Sequence, residues 1–481
     1  VLVKNQDLSE IAQKIDSEEG YYALDTETTG LSPYLGDRLF SIIISNGKDR
    51  YYFNFQCYDD LNPDYVLREK EFGFHFHRVL SNPKIIWFMH NAKFDLAMLD
   101  NAGMAVEGKV HCTEAIHRLV RNDMLSYTLN NCAKVIGLEK DDTVDKYIKE
   151  HKLFEILTVP GKKKKVTNKF FYKVPLEIIH PYGEMDADIT YALGLWQLSQ
   201  ITEIGIKRSE KIWDIYNNEV ALTKVCFEME QAGDLIDPVY VKKAMDHETD
   251  IAEKSEADFE LKTGIPFKDS NKVLAEAFTK MGEKYPLTEK GNPSFRDAVL
   301  ESFDTPLAQV VRDYRKASKK ANTYYRNFLS MADDKGLVHA NIRQGGTTTG
   351  RFSYSEPNLQ NLPREEDASL EFIVKKSFIP PMDHCFLMVD YDQMEYKLML
   401  DYAGEMAVID LIKQGLDVHE ATAEKMGHGI TRQQAKTLNF LLLYGGGVAK
   451  LARALGCSVI EANQLKQDYF AKLPRVQLFT K

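Results

Sequence analysis

A chain of 481 residues, 44% apolar and 27% charged, is too long for one ordinary core and too ordinary in composition for a fibrous, disordered or membrane-embedded protein. Its 71 acidic against 61 basic side chains leave a net charge of −10, which argues against indiscriminate polyanion binding, although a local basic strip can still hold a phosphate backbone. No apolar run has the length of a membrane span, and the first residues, VLVKNQDLSEIAQKI, read as a strand and then a helix without a signal-peptide pattern, so a cytoplasmic protein is expected. Cys57, Cys112, Cys132, Cys226, Cys385 and Cys457 form no CxxC pair and read as buried thiols rather than a zinc knuckle or a disulfide framework.

The β-rich runs at 21–24, 39–45 and 51–55 predict an opening meander of strands. Between the first two, in ALDTETTGLSPY, Asp25 and Glu27 stand two apart, so on a strand their carboxylates point to one face. Two adjacent like charges suggest a divalent cation between them; alone, the pattern also fits an exposed polar strand end. Residues 84–89, KIIWFM, predict a buried strand running into HNAKFDLAML, where Asn91 and Asp95 are one helical turn apart. Residues 112–137 read as two helices joined near Asp123, and 161–173, GKKKKVTNKFFYK, as a basic hairpin or loop, either touching nucleic acid or simply solvated. In PYGEMDADITY, Tyr182, Asp186 and Thr190 recur every four residues on a helix. Four carboxylates and a tyrosine delivered this way could hold two oxygen-ligated ions for an in-line displacement at phosphorus.

The DxE pair, the NAKFD string and the Tyr-Asp-Thr spacing, in this order, resemble the proofreading 3′→5′ exonuclease domain of DNA polymerases. The resemblance implies that Asp25, Glu27, Asp95 and Asp186 are metal ligands and catalytic. Glu27 and Tyr182 would position the attacking water. It implies two Mg²⁺ ions per active site, with Mn²⁺ as a substitute.

From 195 to 236 apolar residues fall at helical spacing until Gly233 interrupts, and a charged helix resumes over 239–263. Residues 311–330, VRDYRKASKKANTYYRNFLS, carry six Lys or Arg against one Asp, which fits a solvated helix face as well as a phosphate grip. With the helical element at 266–300, this region looks like the thumb of polymerases related to bacterial DNA polymerase I. There the strip would grip duplex DNA without reading sequence.

Residues 345–363, GGTTTGRFSYSEPNLQNLP, can form no long regular element and read as a polar loop. The string is similar to the TGR…PNLQN segment of family A DNA polymerases, which implies that Arg351, Asn358, Gln360 and Asn361 contact primer and template. Residues 384–404, HCFLMVDYDQMEYKLMLDYAG, predict an apolar strand ending in Asp390 and passing into a helix. They resemble motif A of that family, DYSQIELR, with Asp392, Tyr396 and Lys397 in place of Ser, Leu and Arg. Asp390 would then bind the polymerase metals, and Gln393 and Glu395 would lie beside the nucleotide, Glu395 packing out a 2′-hydroxyl. His419, in LDVHEATAEKMG, would sit near the triphosphate. In TRQQAKTLNFLLLYGGG, Arg432, Lys436, Phe440 and Tyr444 share one helix face, which suits phosphates and a base but also describes an ordinary amphipathic helix. The string resembles motif B, RxxxKxxxFxxxYG, which implies that the two cations neutralise the triphosphate, Phe440 stacks on the nucleotide and Tyr444 packs where the template base enters. Leu441 stands where the family usually has Gly.

The expected architecture is an α/β, RNase H-like exonuclease domain (1–195), a helical thumb (196–335), part of an α+β palm (336–404) and part of the fingers (405–481), a right-hand polymerase incomplete at its C-terminus. No His-Asp-Glu of motif C occurs, and MDHETD at 245–250 has the wrong order. The resemblance therefore implies a chain that polymerises poorly alone and a second polypeptide carrying the rest of the palm, in a split or truncated enzyme. A start directly in the exonuclease domain looks like bacteriophage enzymes. Expected partners are primer-template DNA, dNTPs and a processivity factor. The alternatives are a stand-alone 3′→5′ exonuclease and a non-catalytic DNA-binding or processivity subunit.

Overall fold

Alternation with period two along the first strands builds a sheet that is buried on both faces. The computed structural model describes residues 1–58, 61–157, 166–364, 370–427 and 429–479. Helix α1 (Leu8–Glu18) precedes β1 (Gly20–Thr28), β2 (Leu39–Ser45) and β3 (Arg50–Asn54); α2 (Glu69–Ser81), β4 (Ile85–Met89), α3 (Ala92–Asn101) and β5 (Lys109–Cys112) follow. The sheet order is β3-β2-β1-β4-β5, antiparallel between β1, β2 and β3 and parallel between β1, β4 and β5. Tyr22, Leu24, Ile42, Ile44, Phe53 and Trp87 face α1 and α2, where Phe72 and Phe76 close the core. Ala23, Ile43, Tyr52 and Phe88 face the other way, against helix α4 (Leu176–Lys207). Asp25 and Glu27 continue the odd-numbered set of β1 and so point toward α4.

Two glycines let α4 lie close enough to receive them. A Cβ at Gly194 would fall 2.5 Å from the Phe88 ring, and one at Gly183 would fall 3.2 Å from Ile43 and Tyr52. At Gly194 a side chain would force the Phe88 ring to move, and at Gly183 it would make a tight contact.

Beside the sheet lies an imidazole cluster in which His111 and His117 are buried and His90 is half-buried. His90 bonds Thr113 Oγ1 (2.9 Å) and the Tyr127 carbonyl (3.0 Å), and His111 bonds Gln197 Oε1 (2.7 Å) and the Tyr216 hydroxyl (3.1 Å). Gln197 Nε2 donates to His117 Nδ1 at 3.2 Å. Loss of solvent pulls all three imidazoles down from 6.5 to about 4. They fold neutral, so the unfolded chain binds more protons between those values, and stability falls as pH drops from about 6.5 to about 4. His111→Asn, which cannot protonate, is expected to flatten this dependence, checked by comparing melting temperature against pH for the two proteins.

The chain continues through α5 (Ile212–Ala232), which ends at Gly233 with φ +63°, then α6 (Pro238–Thr263) and α7 (Pro306–Lys319). Phe259, Phe278, Phe295, Leu307 and Val311 form the core of this region. Here the basic strip differs from its expectation. Arg315 is held by Asp269 at 2.7 Å, Lys320 is buried against Glu248 at 3.0 Å, and Tyr324 and Tyr325 are buried. Of the six cations only Lys316 and Lys319 are exposed, because Arg315 and Lys320 serve helix packing instead. Phe154–Leu157 and Val166–Lys169 pair as an antiparallel hairpin, while the lysines at 162–165 lie outside the described residues. Strands β6 (Asn341–Arg343) and β7 (Ser353–Ser355) pair around the polar loop.

By packing, the chain divides into Val1–Asp383 and His384–Lys481. The second unit is helical, with α8 (Met394–Ala403), α9 (Val418–Met426) and α10 (Arg432–Leu443) packed around Leu400, Val418, Leu438, Leu442 and Tyr469. The buried strand expected before Asp390 is not there. Residues 384–391 belong to no sheet, and Phe386, Leu387, Met388 and Val389 are 60%, 86%, 93% and 83% exposed. A strand exists only when a neighbour takes its backbone hydrogen bonds, and no described strand lies alongside to form that ladder. Asp390 is accordingly exposed. The cysteine expectation holds for Cys112, Cys132 and Cys226; Cys57 and Cys385 are exposed and Cys457 is half-buried. Among the described residues no helix is long and apolar enough to cross a membrane.

Candidate functional site

Three elements bring the acidic residues of the first unit together. β1 supplies Asp25 and Glu27. Helix α3 supplies Asp95, and its preceding residue, Asn91, takes the left-handed conformation (φ +61°) that lets β4 turn sharply into the helix. Helix α4 supplies Asp186 and, one turn earlier, Tyr182. Glu27, Asp95, Asp186 and Tyr182 are each less than a tenth exposed. Thr26 Oγ1 donates to Asp95 Oδ1 at 2.7 Å, fixing the α3 carboxylate against β1.

The electrostatics report how close these groups are. Burial, then the charge of Asp186, pushes the Asp25 carboxyl up to about 7. Burial and the charge of Asp25 hold Glu27 and Asp95 well above the usual carboxylate range. Burial also raises Asp186, opposed by Lys140 and Tyr182. The Tyr182 phenol is driven away from ionisation by burial and then by Asp186, Glu27 and Asp25, so it stays a neutral hydrogen-bond donor. Lys140 forms an ion pair with Asp186, and its ammonium lies 4.6 Å from the centroid of the Tyr182 ring.

Among the described residues no three His, Cys, Asp or Glu side chains make a ready-formed ligand set, and Lys140 is the cation that Asp186 meets. The donors nevertheless fit a hard divalent ion. All are carboxylate oxygens, burial and then their neighbours' charge raise their pKa values, and Asp186 Oδ1 is buried without a partner.

Arg351 lies on the loop between β6 and β7, and Asn358, Gln360 and Asn361 on the turn that follows β7; all four are exposed. Both are braced: Thr347 Oγ1 accepts from the Arg351 amide (2.9 Å), Asn358 Oδ1 from the Gln360 amide (3.1 Å), and the Asn361 carbonyl from the Tyr324 hydroxyl (2.8 Å).

In the second unit, α10 starts with a capping box between Thr431 and Gln434 and buries Ala435, Leu438, Asn439 and Leu442. Arg432, Lys436 and Tyr444 are exposed and Phe440 is half-buried, so the two cations and the tyrosine stand open while the phenyl ring is partly covered. Leu441 is half-buried against the core of this unit. Asp417, not singled out in the sequence, organises the area. It caps α9, accepts two bonds from Arg432 (3.1 and 3.0 Å) and one from Gln393 (2.6 Å). Partial burial works against its ionisation, but those donors win and hold it far below the usual range. The local signal is an Asp immediately before a helical run, an N-cap pattern. Glu395 stands in the first turn of α8. His419 is only 1% exposed and bonds Asn439 at 3.0 Å, with the Phe440 ring 5.6 Å away, so it braces α9 against α10 instead of lining the open face. Burial lowers its pKa and keeps it neutral.

The sheet of the first unit assembles buried carboxylates, and the second unit carries a helix with cations and aromatic rings along it. The chain belongs to the family A DNA polymerases: residues 239–481 match that family and residues 1–195 match the 3′-5′ exonuclease family. It is 29% identical to DNA polymerase I of Pseudomonas aeruginosa over 94% of this chain and 49% of that protein. It is 25% identical to DNA polymerase DpoZ of Salmonella phage PMBT28, over 89% of this chain and 70% of that one. The chain thus spans about half the length of the bacterial relative. The polymerase domain of Pol1 from M. smegmatis, solved with DNA primer-template and dNTP, covers 99% of this chain with a TM-score of 0.76 at 19% identity, aligned over 77% of its own length. The fold is that of a right-hand polymerase.

Proposed function

We propose that this chain is the exonuclease, thumb, partial palm and partial fingers of a DNA-directed DNA polymerase, with residues 1–195, 196–335, 336–404 and 405–481 in those roles. The observation that carries the reading is the convergence of Asp25, Glu27, Asp95, Asp186 and a neutral Tyr182 in one cluster, with Thr26 of β1 bonded to Asp95 and Lys140 paired with Asp186. Glu27 and Tyr182 orient a water toward the terminal phosphodiester. Attack on phosphorus breaks its bond to the 3′ oxygen, and the released nucleotide leaves with the phosphate. Mg²⁺ or Mn²⁺ at the four carboxylates supplies charge neutralisation at phosphorus and a more acidic water.

For synthesis, Arg432 and Lys436 meet the triphosphate, Phe440 stacks on the nucleotide and Tyr444 borders the template base. Asp417 holds the Arg432 guanidinium in a fixed direction beforehand. Gln393 and Glu395 lie toward the sugar, and Asp390 ligates the polymerase metals. Arg351, Asn358, Gln360 and Asn361 contact primer and template. The exposed apolar run at 386–389 supports a palm finished by further strands, in a second polypeptide or a continuation of the chain, that place Asp390 beside a motif C carboxylate. A bacteriophage origin, a host-cytoplasm setting and a processivity factor go with this reading.

A stand-alone exonuclease is the second reading, favoured by a cluster that is assembled in the first unit while Asp390 stands on an exposed segment of the second, outside any sheet. Incubation with a labelled primer-template and Mg²⁺ separates the two. Shortening from the 3′ end without dNTP incorporation is expected of the chain alone. Extension should appear when a polypeptide bearing the missing palm strands is added; if it does not, the stand-alone reading is left. Neither shortening nor extension under any of these conditions would sink the enzyme reading.

A further inference from the structure

Lys140 comes from the loop between the helices Leu129–Val135 and Thr143–Glu150, far in sequence from every acidic residue of the cluster. Its ammonium nevertheless reaches Asp186 Oδ2, with its side chain only 26% exposed. The Tyr182 ring forms the other wall, 4.6 Å from the ammonium to the centroid, so the cation is held between a carboxylate and a π face. Exposed lysines of this unit that pair with acids, such as Lys84 and Lys207, make ordinary surface contacts in water. Lys140 instead enters a cluster of four carboxylates and faces the Asp186 side of it, where the second carboxylate oxygen is buried and unpartnered. One ammonium offsets only part of the charge that four carboxylates can carry, and a second cation cannot share the Asp186 oxygens with it without like-charge repulsion at contact distance.

We propose that Lys140 is a built-in counter-cation that competes with the divalent ion for Asp186, so that metal entry and departure of Lys140 from Asp186 are one exchange. This rests on the reading of the cluster as a metal site. It makes Lys140 a positioning residue: it holds the Asp186 carboxylate of α4 in place before metal arrives and raises the metal concentration needed to charge the site. The flexible four-carbon stem lets the ammonium withdraw without moving the loop backbone.

The test is Mn²⁺ binding to the full chain, by titration calorimetry and by the paramagnetic resonance of free Mn²⁺, with the cluster's share defined as what Asp25→Ala/Glu27→Ala removes. Lys140→Gln is expected to bind Mn²⁺ at the cluster roughly tenfold more tightly, the scale on which a neighbouring charge acts at contact distance. Lys140→Met, which keeps the stem over the Tyr182 ring without the charge, should do the same, and Lys140→Arg should stay near wild type. The metal-free melting temperature of Lys140→Gln should fall and its rise on adding Mg²⁺ should exceed that of wild type. Cluster binding that Lys140→Gln and Lys140→Met leave unchanged or weaken overturns the exchange alone. Wild-type Mn²⁺ binding that is insensitive to loss of Asp25 and Glu27 overturns the metal reading, and the exchange with it.

Discussion

Asp25→Ala is expected to lower 3′-end shortening of a labelled primer by about a thousandfold or more while leaving primer-template affinity near wild type. Asp25 sits at the centre of the cluster. It perturbs Glu27 and Asp95, and Asp186 in turn perturbs it, so it lies within electrostatic reach of all the others. Without it the remaining acids still come from β1, α3 and α4, but the carboxylate that acts on them all is gone. The segments with Arg351 and Asn358 and the α10 face are built from other elements and should keep their contacts. Stability should move the opposite way from activity. A carboxyl whose pKa is raised toward 7 carries a charge that burial and its neighbours oppose, so deleting it relieves repulsion, and the metal-free variant should melt at or above the wild-type temperature. Gel-resolved shortening rates and thermal melts check the two halves. A rate within about tenfold of wild type would place the exonuclease chemistry elsewhere.

Features that local periodicity encodes are legible in the sequence itself. Asp25 and Glu27 share a face because strands repeat every two residues, and Tyr182, Asp186 and Thr190 share one because helices nearly repeat every four. The same rule puts Arg432, Lys436, Phe440 and Tyr444 in a stripe, yet it cannot say how open that stripe is, and Phe440 is half-buried while its neighbours in the stripe are exposed. What the sequence hides depends on contacts between segments far apart in the chain. Lys140 stands among ordinary loop charges in LEKDD, and nothing local says that it reaches Asp186. His419 sits in a polar, helix-like string and yet is buried, because Asn439 and Thr422 form a polar seam between α9 and α10. Residues 385–389 fail in the other direction. Their apolar, β-prone composition is real, but pairing is a property of two strands, and a composition cannot supply the second.

Glu230→Ala is expected to destabilise the first unit by about 3–5 kcal/mol, the scale of breaking a buried ion pair by removing one partner. Glu230 on α5 and Lys93 on α3 are paired with side chains only 7% and 10% exposed. The same Glu230 oxygen accepts the backbone N–H of Ile342 in β6. Burial raises the Glu230 pKa, and Lys93 and that amide oppose the rise. Truncation strands an ammonium and a strand amide in the interior together. Glu230→Gln keeps an acceptor for Ile342 and should cost less, and adding Lys93→Met to it should recover part of the loss, because a neutral pair no longer leaves a buried charge exposed to low dielectric. Denaturant melts of the single and double variants give the coupling; a loss below about 1 kcal/mol for Glu230→Ala would mean that the pair behaves like a surface contact. The pair also ties the function together. Lys93 lies on α3 two residues before Asp95, and Ile342 belongs to the strand pair β6–β7, with Arg351 in its loop and Asn358–Asn361 just after it, so one carboxylate ties the helix of the third acid to the strands beside the proposed primer-binding residues. Shortening rates should therefore fall in Glu230→Ala even at temperatures where the protein remains folded.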